Sequence, residues 1–343
     1  MTSWSRSEFE FELLVCRWVE LAWPVDLRES SPIVVARQLG TRSRRWDTLV
    51  IECDPDGLRR RRAFGDRELD RDLLFVLQHA PASWEWYRDA LPHPGYPWRY
   101  VRETVHRAAD RDILRTRRNG NRIEIERRTP FPDWVERIVA IENKPNLDAS
   151  AARALSDQLD HDVDSGLIDE VWVATAATDD RVPPALLEAM PVEVGIVAMD
   201  VTDGVSPTSG DVLWNPLGRR STDTTTSGSD DGPLSSRRLE LAERAYGRGW
   251  RSYHRTMRTD CRWYELDRHG YGLLPRCGAK RRCQRPRECS ASCPSFEPEP
   301  PGWRIHGYPI DGGPGKGIVQ LLERRQKRER KRELQRERDR ERK

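Results

Sequence analysis

The sequence predicts an α/β fold in which helices flank a mixed sheet and an inserted unit interrupts the chain. Three observations support this prediction. Amphipathic segments and short runs rich in β-branched and aromatic residues alternate along the chain. A helix-rich stretch separates the second predicted strand from the third. Five of the seven cysteines fall late in the chain, where we expect a separate module.

Length, charge and hydropathy restrict the protein class. The chain has 343 residues, more than one ordinary core needs, so several domains are expected. Residues 323–343 carry twelve Lys or Arg and six Asp or Glu, a net charge of +6 that leaves −3 for the rest. No run approaches the roughly 20 apolar residues of a membrane span. The N-terminus does not resemble a secretion signal, so we expect a cytoplasmic protein with no membrane partner, whose cysteines are thiols or metal ligands.

The core elements follow from pattern. Ser7 and Glu10 have capping-box spacing at the start of a predicted first helix, which Pro24 ends. The predicted helices cover 8–22, 149–163 and 184–190, and the predicted strands cover 33–39, 46–53, 136–142, 170–176 and 193–199. We expect Cys16 and Cys53 to pack inside these elements. Together 1–56 and 131–202 form the predicted discontinuous core.

The insertion at 57–130 reads as three helices followed by a hairpin around Asn119-Gly120, which is the order of a winged helix-turn-helix. Its third helix and hairpin are rich in arginine, which suits contact with DNA phosphates. These candidate DNA-binding residues are Arg99, Arg102, Arg107, Arg111, Arg115, Arg117, Arg118 and Arg122. The alternative interpretation is a solvated arginine-rich face on a small helical insert.

Charged residues end the strand predicted at 136–142. Glu142 and Lys144 are two residues apart, so in a strand they point to the same side. Two ionised groups there are unfavourable unless they pair or bind something. A carboxylate that holds a divalent cation and a lysine beside a phosphate satisfy this requirement. Mg²⁺ takes one or two carboxylates, and Asp47 on the preceding strand is the second candidate.

This order of elements and charges resembles the PD-(D/E)XK, or restriction-endonuclease-like, nuclease superfamily. The whole chain also resembles an uncharacterised archaeal family, a likeness that implies no activity. The nuclease resemblance implies that Asp47 and Glu142 bind Mg²⁺ or Mn²⁺, with the backbone carbonyl of Asn143 as a further ligand. It also implies that Lys144 positions the attacking water and stabilises charge on the phosphate.

Many nucleases of this superfamily also use a glutamate from the first helix. Glu12 is our choice because it lies within an apolar stripe of that helix, while Glu8 is the reserve and Glu10 points away. Some branches carry a Gln and a Tyr one helical turn apart after the Glu-x-Lys strand. Gln158 fits the first position, but Asp162 occupies the second, so only half of that motif is present.

We expect a metal-binding module at 237–310, after a flexible linker at 203–236 and before a basic helical or disordered tail at 311–343. Any four of five cysteines complete a closed thiolate site. The candidate ligands are Cys261, Cys277, Cys283, Cys289 and Cys293. Zinc is favoured, with an iron–sulfur cluster or unligated cysteines as alternatives.

The sequence therefore predicts a metal-dependent DNA nuclease acting in repair, recombination or defence. We expect a homodimer if both strands of a duplex are cut. The rival hypothesis is a non-catalytic DNA-binding regulator that uses the winged helix and an inactive nuclease-like core.

Overall fold

The computed structural model describes residues 6–24, 31–41, 44–147, 149–176, 190–217, 233–289 and 292–298, with five single residues between 328 and 339. The chain divides into two compact units, one of residues 1–52 and 136–300, the other of residues 53–135 and 301–343. The predicted helix at 184–190 and most of the predicted tail lie outside the described residues. No helix in the described ranges is both long and apolar enough to cross a bilayer.

The helices and strands are as follows in chain order. The α-helices are α1 Glu8–Ala22, α2 Pro55–Arg61, α3 Arg71–His79, α4 Tyr87–Ala90, α5 Trp98–Asp110, α6 Ala149–Asp164 and α7 Pro233–Arg248. The strands are β1 Ile33–Gly40, β2 Arg45–Cys53, β3 Glu85–Trp86, β4 Leu114–Asn119, β5 Arg122–Arg127, β6 Val135–Asn143, β7 Glu170–Ala176, β8 Val194–Met199, β9 Gly210–Trp214, β10 Tyr264–His269, β11 Gly272–Cys277 and β12 Arg282–Cys283.

A six-stranded mixed sheet forms the centre of the first unit, which confirms the predicted α/β class. Its strand order is β1-β2-β6-β7-β8-β9. Strands β6, β7 and β8 run parallel, whereas β1 is antiparallel to β2 and β9 is antiparallel to β8. The order makes β2 and β6 neighbours, so the segments that carry Asp47 and Glu142 lie side by side.

Helix α1 begins where the capping residues predict, because the Ser7 side chain accepts from the Glu10 N–H at 3.2 Å. Residues 9–16 are all buried, including the glutamates at 10 and 12. The helix is enclosed on more than one side. Its core neighbours include sheet residues such as Ile141, and also Tyr253 and Leu274 of the C-terminal region, by which we mean residues 237–298. Hence Glu10, expected to point away from the core, is also buried.

The C-terminal region packs on α1 within the first unit. Its three-stranded sheet has the order β10-β11-β12. Trp250 Nε1 donates to Glu20 Oε1 at 2.7 Å, and Arg17 Nε donates to the Tyr271 carbonyl at 2.9 Å. This region therefore completes the core around the helix.

Both ends of the predicted linker at 203–236 form regular secondary structure. Strand β9 pairs with β8, and α7 begins at Pro233. Strand β9 begins at Gly210. The Trp18 ring leaves no room for a side chain there, since a Cβ would lie 2.2 Å from it. Val205 and Val212 of this stretch pack with the core around α1, which a low average apolar content conceals. Residues 218–232 lie outside the described ranges.

The second unit holds α2 to α5 and a sheet of order β3-β5-β4. The sequence WEWYRDAL predicts the second helix of the insertion, with Ser83 as its N-cap, but the helix begins only at Tyr87 and no side chain caps it. The prediction was wrong because Glu85 and Trp86 pair with β5 instead of entering the helix. The hairpin of β4 and β5 forms as predicted, with Gly120 in its two-residue loop at φ +58°.

Close packing in the parallel part of the sheet yields a stability prediction. A Cβ at Gly195 would lie 2.4 Å from the Trp172 ring, so Gly195→Ala is expected to destabilise the fold by about 1–3 kcal/mol. Chemical denaturation measures this loss. Trp172→Leu removes the clashing ring, so the double variant should lose less than the two single losses added together. Strict additivity would contradict the contact.

Candidate active site

The start of β2 and the end of β6 bring three predicted residues together. Asp47 Oδ2 accepts from the Asn143 N–H at 3.1 Å. On either side of Asn143, Lys144 Nζ lies 3.6 Å from Glu142 Oε1. Glu142 is 7% exposed. Its burial raises the pKa of that carboxyl, and nearby Asp47 raises it further, while Arg44 and Lys144 oppose the shift. Asp47, Glu142 and Lys144 therefore form one electrostatic group.

Glu12 joins this group from α1 through a glutamine. Gln38 Nε2 donates to Glu12 Oε1 at 2.6 Å and to Asp47 Oδ1 at 2.9 Å. Arg37 Nη2 lies 3.3 Å from the other Glu12 oxygen. Glu12 is 6% exposed, and its burial raises the pKa of the carboxyl to about 7, against the lowering effects of Arg37 and Gln38. The reserve candidate, Glu8, is exposed at the rim of the same cleft.

Gln38 reaches both acids from an unusual backbone conformation. Its φ of +53° is in the left-handed region, which non-glycine residues seldom adopt. Its side-chain oxygen accepts from Arg45 Nε at 2.6 Å, which fixes the direction of the amide. Unfavourable backbone conformations of this kind concentrate at functional sites. Sequence reasoning missed Gln38, since nothing in the pattern of β1 indicates a positive φ.

Arg44 is the second residue that sequence reasoning missed. Its Nη2 donates to Glu142 Oε2 at 3.0 Å and to Asp162 Oδ2 at 2.7 Å, while its Nε donates to both Asp162 oxygens. Asp162 is 1% exposed. Gln158, with its amide oxygen toward Arg44, accepts from Nη2 at 2.7 Å. Gln158 and Asp162 thus join the site through Arg44.

A cleft of about 400 Å³ opens beside Asp47 and Lys144. Its lining is rich in both charges: Glu8, Phe9, Glu12, Arg37, Gln38, Arg45, Asp47, Asn143, Lys144, Arg285, Pro286 and Arg287. Glu142 is not among these residues, because its carboxylate points toward Arg44 and α6. The cleft therefore presents three carboxylates, of which Glu12 is buried, together with one lysine and four arginines.

The Asn143 side chain serves the fold beside the site. Its Nδ2 donates to Thr48 Oγ1 at 3.0 Å, and Thr48 lies 3.4 Å from the Cys16 sulfur. Its Oδ1 is buried and has no hydrogen-bond partner. Cys16 and Cys53 are fully buried, which confirms the prediction that both pack in the core.

The donor set at this site suits a hard divalent cation. As the chain stands, no three His, Cys, Asp or Glu side chains in the described ranges are arranged to hold a metal ion. Asp47 and Glu142 nevertheless provide carboxylate oxygens close enough to affect each other, and Mg²⁺ needs only one or two of these besides water. Arg44 now balances the charge of Glu142, so a metal ion fits this carboxylate once the guanidinium moves.

The cysteines divide into two groups. Cys261, Cys277, Cys289 and Cys293 all line one cavity of about 20 Å³. Cys283 is absent from that lining, and both Cys283 and Cys289 pack against the core around α1. Burial raises the pKa of Cys283 to about 12, with a further contribution from Glu10. All seven cysteines are free thiols.

Most arginines of the proposed DNA-binding surface have partners within the second unit. Arg107 pairs with Asp70 at 2.6 Å, and Arg117 pairs with Glu124 at 2.6 Å. The others with partners are Arg99 with Tyr100, Arg111 with two carbonyls, Arg115 with Glu126 and Arg122 with the Trp86 ring. Within the described ranges, Arg102 and Arg118 are exposed and have no such partner.

Comparison with known proteins gives one match. Residues 34–298 match a family of unknown function, DUF5787. No curated protein matches this chain. No solved structure matches it either. The site geometry therefore carries the functional argument.

The raised pKa of Glu12 yields a pH prediction. In the unfolded chain this carboxyl titrates near 4.5, whereas the folded protein holds the proton until pH about 7. Stability therefore decreases as pH rises through this window and is not lowered further above it. In EDTA, Glu12→Gln should be more stable relative to wild type at pH 8 than at pH 5. Thermal denaturation at both pH values measures this, and a pH-independent difference would contradict it.

Proposed function

We propose that this chain, which belongs to the DUF5787 family, is a divalent-metal-dependent nuclease that hydrolyses phosphodiester bonds in DNA. The observation that carries the proposal is the meeting of Asp47, Glu142 and Lys144 at the ends of two neighbouring strands, beside a cleft lined with arginines. The mixed sheet, with a leading helix that contributes Glu12, supports the resemblance to PD-(D/E)XK nucleases. Repair, recombination and defence in the cytoplasm are all compatible settings.

The residues of the cleft have distinct roles in this reaction. Asp47 and Glu142 would hold a Mg²⁺ or Mn²⁺ ion, which would supply charge stabilisation at the phosphate and a more acidic water. Lys144 is partly exposed in the cleft and places a positive charge where the attacked phosphate becomes more negative. Glu12, with a pKa of about 7, accepts a proton from water. Arg37 and Arg45 line the cleft and attract the DNA backbone.

Arg44 supplies the positive charge beside Glu142 and Asp162 when no metal ion is bound. It is the cation that neutralises Glu142 and Asp162, and both of these carboxylates are buried. Metal binding at Glu142 requires that guanidinium to move away from Oε2, while Asp162 and Gln158 retain it nearby. Gln158 is therefore a positioning residue for Arg44, which is a narrower role than direct participation in catalysis.

The second unit supports DNA binding. A short strand lies between its α3 and α4 helices, and the hairpin follows α5, so the sheet order β3-β5-β4 agrees with a winged helix. Arg102 on α5 and Arg118 on β4 are the exposed arginines that remain available for phosphates. Contacts of this kind orient a protein on DNA without reading sequence.

One observation favours a second candidate function. Both oxygens of Asp47 and both oxygens of Glu142 already face protein donors, so the site is charge-balanced without a metal ion. A nuclease-like core that has lost catalysis would have this arrangement. The chain would then be a DNA-binding regulator, and cleavage assays separate the two functions.

Mutation of the three meeting residues tests catalysis. Purified protein is incubated with plasmid and branched DNA in Mg²⁺, Mn²⁺ or EDTA. Cleavage is expected only with metal, and Asp47→Ala, Glu142→Ala and Lys144→Ala should each lower the rate at least 100-fold, about 3 kcal/mol in barrier height. Glu136→Gln is the matched control, because Glu136 is exposed on the same strand as Glu142.

The control should cleave like the wild type. DNA binding without cleavage for the wild type, on every substrate and with every metal, would overturn the nuclease proposal and support the regulator. Equal cleavage by wild type and the Glu142→Ala variant would place the chemistry elsewhere.

Arg44 offers a test of metal binding that does not depend on cleavage. In EDTA, Arg44→Met leaves Asp162 without its guanidinium partner and Glu142 with Lys144 alone, and the expected loss is about 3–5 kcal/mol. Mg²⁺ should restore more stability to this variant than to the wild type, because the ion replaces the guanidinium at Glu142. Thermal denaturation with and without Mg²⁺ measures the effect. Arg238→Met, which breaks the distant pair with Asp169, should show no recovery with Mg²⁺.

A further inference from the structure

The four-cysteine cavity is the strongest feature that the proposed nuclease chemistry does not use. Cys261 lies before β10, Cys277 ends β11, and Cys289 and Cys293 follow a short 3-10 turn at 286–288. These separate segments bring their four cysteines to one cavity wall. Cys261, Cys277 and Cys293 are near enough to Cys289 to affect its ionisation.

The wall of this cavity also holds polar atoms suited to a thiolate site. The Arg258 N–H donates to the Cys289 sulfur at 3.3 Å, a contact that stabilises negative charge on sulfur. Gln284 is buried, and among the residues that the structure describes its Oε1 has no hydrogen-bond partner. The lining also holds three basic side chains, Arg258, Arg276 and Lys280, and one acidic side chain, Glu288. Burial raises the pKa of Cys289, and the Arg258 N–H opposes this shift toward the ionised form that binds metals.

The size of the cavity selects the ligand. A space of about 20 Å³ holds a single ion or water molecule, since one water needs about 10–15 Å³ by this measure. An iron–sulfur cubane contains eight atoms and does not fit. Four thiolates around one ion are the usual ligands of structural zinc. The thiols are not yet in ligating positions, so zinc must draw them together by rotation of their side chains.

The turn between Cys283 and Cys289 connects this cavity to the cleft. Arg285 and Arg287 line the cleft beside Asp47 and Lys144, and in the described ranges neither guanidinium has a protein partner. Cys283 and Cys289, at the two ends of the turn, both pack against the core around α1, and Cys289 also lines the cavity. A ligand bound at Cys289 would therefore hold the end of the turn that follows Arg287.

We propose that Cys261, Cys277, Cys289 and Cys293 bind one zinc ion, which fixes the turn that presents Arg285 and Arg287 to DNA phosphates in the cleft. The zinc site stands on the cavity alone, whereas the role of the two arginines rests on the proposed function. This assignment separates Cys283 from the other four cysteines. The region has few buried aliphatic residues, so a metal ion adds stability that its small core lacks.

Metal analysis of the purified full chain tests the site directly. One zinc per chain is expected. Each of the variants Cys261→Ser, Cys277→Ser, Cys289→Ser and Cys293→Ser should lower this content. Cys283→Ser is the matched control and should keep its zinc. To avoid reliance on variants that fail to fold, a thiol-reactive mercurial is added to the unmodified chain, and the released zinc is measured with a zinc dye.

Three results would overturn the zinc site. They are iron and sulfide with a visible absorption band, the absence of metal from protein reconstituted with zinc under reducing conditions, and loss of zinc from Cys283→Ser equal to that from the other four variants. None of these results depends on nuclease activity.

Binding of a DNA duplex in EDTA then tests the arginines. The double change Arg285→Ala with Arg287→Ala should weaken binding at least tenfold and reduce the slope of log K against log salt by roughly two, with zinc retained. Arg268→Ala changes an exposed arginine of the same region and should have little effect. Unchanged binding in the double variant would overturn the arginine role. Absence of DNA binding by the wild type would instead contradict the proposed function and leave the zinc site standing.

Discussion

The enclosure of α1 is the constraint on which the rest of the first unit depends. A helix that is apolar on most sides is stable only when it is covered on most sides. The six-stranded sheet covers one side, and the C-terminal region covers another through Tyr253 and Leu274. This enclosure carries Glu12 into the interior, where burial raises its pKa. The fold thus raises the pKa of Glu12, and the neighbouring Arg37 and Gln38 oppose that shift.

Two side chains in the candidate site each bind two carboxylates. Gln38 shares its amide between Glu12 and Asp47, and Arg44 shares its guanidinium between Glu142 and Asp162. Removal of Arg44 would leave the buried Asp162 without its guanidinium partner, whereas removal of Gln38 would leave Glu12 with Arg37 alone. The site is therefore stable as an apo site, with Arg44 where a cation is needed. A nuclease built in this way would be protected from unfolding without metal, and its affinity for metal would be reduced by competition from its own arginine.

The sequence predicts the scaffold better than it predicts the site. Helix α1 and strands β1, β2, β6, β7 and β8 have strong periodicity and recognisable ends, and their positions agree with the structure within two residues. Strand β9 was missed because the stretch is low in apolar residues and its partners, β8 and Trp18 of α1, are recognised only in three dimensions. Arg44 was missed for a similar reason, since only tertiary packing distinguishes it from the arginines beside it. The selection of four cysteines from five likewise required three-dimensional information.

The C-terminal region contributes residues both to the core around α1 and to the cleft. If it were an independent module, its cysteines would matter only to its own folding. Instead, Trp250 and Arg251 bind Glu20 of α1, and Cys283 packs against the same core. The next residues along the chain reach the cleft as Arg285 and Arg287. Loosening of the turn at Cys289 would therefore displace positive charge from beside Asp47 and Lys144 while the carboxylates stayed in place. Under the proposed function, binding of a phosphate chain and retention of the acidic centre would be separable properties.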